Sequence, residues 1–174
     1  MRKFISVFGI SVLALFVGAC ATVEHKKSAS LAHYSTIFVK PLSFNEVVLQ
    51  KVAGREQEQF SNAKPALAEL FRESFGQTLP RASSLRPALS EGPPDDGTLV
   101  LEPRVSLIDP GIKEVLRGRG VAVCRLTDGA GRFVGTYTVS REVNRTASGS
   151  TSEVIEELLR GMGAEAALQL DQAK

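Results

Sequence analysis

The stretch GVAVCRLTDGAGRFVGTYTVSREV, residues 120–143, decides the fold. Its first arm alternates: Ala122, Cys124 and Leu126 share one side, and Val121, Val123 and Arg125 the other. Thr127-Asp128-Gly129-Ala130-Gly131-Arg132 is a hairpin turn, and Phe133 to Val143 is the returning strand. Placing Thr127 opposite Arg132 sets Leu126 against Phe133, Cys124 against Gly135 and Ala122 against Tyr137. That side is the predicted core, and the other displays Arg125, Thr136 and Thr138. A bulge in the turn would shift the pairing.

Upstream, Thr98 to Leu107 also alternates. Leu99, Leu101, Val105 and Leu107 point one way; Glu102, Arg104 and Ser106 point the other. Pro103 cannot donate to a ladder, so this strand is expected at an edge or with a bulge there. Asp109-Pro110-Gly111 turns the chain into the hairpin. Residues 81–97 hold Pro87, Gly92, Pro93, Pro94 and Gly97 and read as loop. Before them, Ser61 or Asn62 caps a predicted helix with Pro65 in its first turn; Leu67, Leu70, Phe71 and Phe75 form its stripe, and residues 76–80 end it. Tyr34 to Leu42 is a first strand, while residues 44–60 fit strand or helix equally. Downstream, Ser150 followed by Glu153 is a capping-box pattern opening a helix with the stripe Val154, Ile155, Leu158, Leu159 and Met162. Gly161 and Gly163 in that helix mark either close packing or a break. The expected fold is α/β (α+β): a two-layer sandwich with a mixed four-stranded sheet and two helices packed on one face.

The first twenty residues, MRKFISVFGISVLALFVGAC, have a different character. Arg2 and Lys3 precede an apolar run, and Val17-Gly18-Ala19 places small residues before Cys20. This resembles the lipobox of bacterial lipoproteins, with Val17 where that pattern prefers Leu. The resemblance implies removal of residues 1–19 as a signal peptide and acylation of Cys20. Residues 20–32 then form a lipidated tether, and residues 33–174 a single α/β domain. Ala21, by the same resemblance, favours the outer membrane and leaves its face open; the periplasmic face is the expected one. The alternative reading of Phe4 to Val23 is an uncleaved membrane helix.

The whole chain carries 21 cations and 19 anions over 174 residues. Removing residues 1–19 takes two cations, 21 − 2 = 19, and leaves a neutral chain, which argues against a nucleic-acid partner. Charge is nevertheless segregated: residues 104–145 hold eight cations against four anions, 8 − 4 = +4. Arg104, Arg117, Arg119 and Arg125 are the candidate face for an anionic partner, the plain alternative being that these arginines pair with the acidic last helix and solvent.

His25 and His33 are the only histidines, so no transition-metal site is expected, and no cofactor. Cys124 reads as a small buried thiol without a disulfide partner. Asp95-Asp96 in a Pro/Gly loop reads as solvated acids rather than a calcium site. The glycine pairs 118/120 and 129/131 are turn glycines, not a dinucleotide fingerprint, and no catalytic constellation is visible. The strand Tyr34–Val39, the strand Leu99–Val105, the bend Asp109–Gly120 and the hairpin Leu126–Gly131 together resemble small bacterial lipoproteins with domains of unknown function. By shape they also resemble the α/β domains of curli-secretion (CsgG) lipoproteins and the TolB N-terminal domain.

The sequence therefore leads to a lipid-anchored envelope protein that is not an enzyme. It would act as a binding, accessory or assembly factor, held to the membrane by its lipid and recognising an envelope protein or an anionic envelope component. The alternatives are an envelope hydrolase or transferase with a dispersed site, and a self-assembling secretion component.

Overall fold

In the computed structural model the described residues are 31–88, 94–145 and 149–172. Cys20, His25, the signal segment and most of the tether lie outside them. A 3₁₀ turn at Leu31–His33 is followed by β1 (Thr36–Val39), β2 (Val48–Leu49), α1 (Arg55–Ala82), β3 (Arg86–Pro87), β4 (Thr98–Asp109), β5 (Gly118–Asp128), β6 (Phe133–Val143) and α2 (Thr151–Gln172). The sheet runs β3-β1-β4-β5-β6, with β2 beside β4. It is mixed: β1 pairs parallel with β3 and β4, and β4, β5 and β6 form an antiparallel run.

Among the described residues the sheet has six strands rather than the expected four. The two extra ones, β2 and β3, are two residues each, too short to show a period. Residues 36–50 follow β4 as one interrupted parallel strand. Lys40 N–H donates to the Leu101 carbonyl, Ser43 N–H to Pro103 and Gln50 N–H to Ile108, at 2.9, 3.0 and 2.9 Å. Pro41 makes the first interruption, and Glu46, with φ 65°, lies in the second.

That arrangement also corrects the edge expected from Pro103, because β4 is central. Pro103 points its carbonyl, and therefore its nitrogen, toward the break between Val39 and Ser43, where its missing donor costs no ladder bond. The bulge lies further on, between Val105 and Leu107. It turns Ile108 rather than Leu107 into the core.

Both helices cover one face of the sheet. Helix α1 is longer than its apolar stripe predicts, starting at Arg55 and continuing through Pro65 and Pro80 to Ala82. Its polar first turns, Arg55 to Gln59, consist of strong helix formers that carry no stripe. An internal proline costs about 3 kcal/mol. Burial of Phe60, Leu67, Phe71, Phe75 and Leu79 contributes about 1.5–3 kcal/mol each and outweighs it. Helix α2 starts at the expected cap: Ser150 Oγ accepts the Glu153 N–H at 3.2 Å, and Glu153 Oε2 accepts the Ser150 N–H at 2.8 Å. Its stripe Val154, Ile155, Leu158, Leu159 and Met162 is buried.

Gly161 and Gly163 do not break α2; they let it approach its neighbours. A Cβ at Gly163 would stand 2.3 Å from the Phe71 carbonyl oxygen of α1, and one at Gly161 would stand 2.7 Å from the Arg141 side chain. Gly118 and Gly120 lie inside β5, not before it, and make room for Val154 and Met162.

The core strand faces are as expected, with Ala122, Cys124, Leu126 and Tyr137 buried. The hairpin register is not. Leu126 faces Gly135, Cys124 faces Tyr137, Ala122 faces Val139, and Thr127 faces Phe133. The turn is one residue longer than expected, and the irregularity between Leu126 and Thr127 adds Val134, so from Leu126 onward the pairing is shifted by two residues and the faces are kept. Phe133 is thereby moved out of the core and is 52% exposed.

Candidate functional site

The face of β4, β5 and β6 turned away from the helices carries Glu102, Arg104, Val121, Val123, Arg125, Thr136 and Thr138, as the alternation predicts. Where β1 gives way to Pro41 and Ser43, the gap beside β4 opens this face into a shallow groove of about 510 Å³. Lys40, Ser43, Arg104, Arg125, Phe133 and Thr136 line it.

Charge in the groove is mixed and in excess positive. Its lining has Lys40, Arg104 and Arg125 against Glu102, or 3 − 1 = +2. Glu102 is shared: Lys40 Nζ bonds one carboxylate oxygen, and Arg125 Nη1 lies 3.9 Å from the other. Arg104 Nη1 donates to Glu46 Oε2 at 2.9 Å. The Arg125 guanidinium also lies over the Phe133 ring, 5.8 Å from its centroid. All three cations are half-exposed, so each pair is worth at most about 1 kcal/mol and yields readily to a better anion. Two guanidinium forks on one face suit bidentate recognition of phosphate or carboxylate.

The four candidate arginines do not form one patch. Arg104 and Arg125 meet in the groove. Arg119 shares their face but sits at the other end of β5, opposite Glu142. Arg117 lies before β5, with Nη1 3.5 Å from Glu142 Oε2. Among the described residues the carboxylates that meet Arg104, Arg117 and Arg125 are Glu46, Glu142 and Glu102, from the sheet and its loops, rather than those of α2 that the plain alternative expects. Sequence reasoning missed Lys40 and Phe133. Lys40 sits at a strand end without alternation, and Phe133 falls on the core side in the unbulged register.

Other polar groups near the sheet are structural. Asp95 caps the start of β4: its Oδ1 accepts the Thr98 hydroxyl at 2.6 Å and its carbonyl the Thr98 N–H at 3.0 Å. Asp128, buried in the hairpin turn, accepts the Arg132 N–H at 2.8 Å and its Nε at 2.6 Å. Burial pushes the Asp128 carboxyl up, but these bonds and the Arg132 charge outweigh it and hold it below its usual value.

Burial raises the Cys124 thiol to about 12 despite a hydrogen bond with Tyr137. The Tyr137 hydroxyl, itself pushed up by burial, donates to the Ala166 carbonyl at 3.0 Å and ties β6 to α2.

A second, smaller cleft of about 180 Å³ lies between the N-terminal halves of α1 and α2. There Thr151 Oγ1 donates to Glu56 Oε1 at 2.6 Å and accepts from Arg145 Nη2 at 2.8 Å, a network that joins the two helices. Among the described residues no three of His, Cys, Asp and Glu gather as a metal site requires. Among them, too, no helix is long and apolar enough to cross a membrane.

No family model matches the chain, and no curated protein matches it. Solved structures do. The chain is similar to the PelC dodecamer from Paraburkholderia phytofirmans at 14% identity, with 81% of this chain and 92% of that one covered and a TM-score of 0.47. It is similar to protein XCC0632 from Xanthomonas campestris, of the domain-of-unknown-function family DUF330, at 11% identity, 79% and 81% coverage and a TM-score of 0.47. It is also similar to the hypothetical protein CT253 from Chlamydia trachomatis at 12% identity, 76% and 96% coverage and a TM-score of 0.40.

Proposed function

We propose that this is a lipid-anchored protein of the cell envelope that works by binding, as an accessory or assembly factor. Its groove on the open sheet face receives an anionic envelope component or an acidic segment of an envelope protein. The observation that carries this reading is the groove itself, with Lys40, Arg104 and Arg125 half-exposed around Phe133 on the sheet face turned away from α1 and α2. A ligand carboxylate or phosphate would displace Glu46 and Glu102 from the arginines, and an apolar portion would lie on Phe133. The anchor rests on Val17 to Cys20 and the outer-membrane location on Ala21.

Two measurements test the reading. Radioactive palmitate fed to cells should label the parent chain and not Cys20→Ala; equal labelling of both removes the anchor. A photo-crosslinker placed at Thr136 in intact cells should capture a ligand, and Arg104→Glu with Arg125→Glu should abolish the adduct. An adduct unchanged by that reversal removes the groove from the function.

A further inference from the structure

The loop between β4 and β5 presents three aliphatic side chains to solvent: Val115 is 73% exposed, and Ile112 and Leu116 are nearly half-exposed. The loop is nonetheless braced. Leu116 N–H donates to the Ile112 carbonyl at 2.9 Å, and Ile112 N–H to the Leu116 carbonyl at 3.1 Å. Glu114 N–H donates to the Arg145 carbonyl at 3.1 Å, and Arg145 Nη1 to the Gly111 carbonyl at 3.0 Å. Gly111, at φ 72°, is required at its base, because a Cβ there would stand 2.3 Å from the Leu116 carbonyl oxygen. The fold thus holds a rigid tongue whose tip is unfavourable in water.

Charge and position indicate what covers that tip. Residues 110–119 carry Lys113, Arg117 and Arg119 against Glu114, or 3 − 1 = +2. The exposed Val48 lies at the same end of the sheet, beside Leu107. The N-terminal segment joins the sheet at the opposite end, where Thr36 pairs with Thr98. The 12 residues of β4 separate the two ends by about 36 Å. Cys20 precedes Leu31 by 31 − 20 = 11 residues, which extend to about 36–40 Å at most. A chain fixed at Cys20 can therefore still lower the tongue onto the surface that holds it.

We propose that the tongue Ile112–Leu116 dips its aliphatic side chains into the interface of an anionic bilayer, with Lys113, Arg117 and Arg119 against the headgroups. The membrane then holds the domain at a second point and fixes its orientation. The orientation rests on the lipid-anchor reading; the tongue's contact with lipid does not.

The test uses the chain from residue 20 onward carrying Cys20→Ser, which cannot be acylated. The protein has no Trp, so Val115→Trp reports alone. On adding vesicles of phosphatidylethanolamine and phosphatidylglycerol its emission should move to shorter wavelength, and much less with phosphatidylcholine. Leu168→Trp, exposed in the last turns of α2 and outside both tongue and groove, should not move. Leu116→Asp added to Val115→Trp should weaken vesicle binding about tenfold or more. A Val115→Trp emission that moves no more than that of Leu168→Trp overturns the proposal. So does a shift that grows with protein concentration in the absence of lipid, which assigns the tongue to a second copy of the chain. Palmitate labelling at Cys20, read in cells, reports separately on the anchor.

Discussion

Gly163 of α2 lies flat against Phe71 of α1: a Cβ added to it would stand 2.3 Å from the Phe71 carbonyl oxygen. Helix propensity alone favours Ala over Gly by about 1 kcal/mol. Here the obstacle is backbone, which cannot swing away, so Gly163→Ala should destabilise by about 1–3 kcal/mol. Gly161→Ala meets the Arg141 side chain, which can shift where backbone cannot, and should cost less than Gly163→Ala. Urea unfolding of the two variants should show that difference.

The cap of α2 predicts a second effect. Ser150→Ala removes the acceptor for the Glu153 N–H and should cost about 1 kcal/mol. The Glu153 carboxyl is lowered from 4.5 by hydrogen bonds from the backbone and side chain of Ser150. A lowered folded value means stability present above the unfolded value and lost as pH falls through the folded one. Glu153→Gln should therefore flatten part of the stability loss below about pH 4.5, as read by unfolding at a series of pH values.

Asp128 obeys the same sign in the hairpin turn. Its folded value lies below 3.8, so its contribution is complete above that pH and disappears as pH falls through the folded value. Asp128→Asn should destabilise the protein at neutral pH and much less in strong acid. A loss of equal size at both ends would show that packing of the turn, not charge, is what the residue provides.

Cys124, with a thiol at about 12, should resist alkylation by iodoacetamide at mildly alkaline pH in the folded state. It should react at an ordinary rate once urea unfolds the chain. Mass spectrometry of the modified peptide separates this residue from Cys20.

The bulged hairpin makes Phe133 and Phe71 a contrasting pair. Phe133 is half-exposed, and Phe133→Ala should change stability by about 0.5 kcal/mol or less. Phe71 is fully buried, and Phe71→Ala should cost about 3–5 kcal/mol. In the unbulged register both would be core residues, and thermal unfolding distinguishes the two arrangements directly.

Much of this architecture was readable where side chains repeat a period. The faces of β4, β5 and β6 follow from alternation, and Ser150 with Glu153 marks α2 because the cap needs those groups at that spacing. What escaped was set by backbone events. Val134 and Gly135 are buried in succession at the bulge, a backbone event that the alternation of this strand does not announce, so the shift that exposes Phe133 was not legible. Val48–Leu49 and Arg86–Pro87 become strands only because β4 and β1 offer them partners. The polar turns Arg55–Gln59 are helical by propensity and carry no stripe. The groove shows the same division: Arg104 and Arg125 were readable as outward positions, whereas Lys40 joins them only through the break at Pro41.

The parallel pairing of β1 with β4 also sets an order of events during synthesis. Thr36 and Thr98 share a hydrogen bond across 62 residues, whereas β4, β5 and β6 pair with their neighbours in the chain. The part made last can close on itself first, and the part made first must wait. Until residue 98 has left the ribosome, β1 has no β4 to join and the apolar stripe of α1 has no sheet to cover. A nascent chain stalled in that interval is one a holding chaperone should recognise, and release should coincide with the appearance of β4.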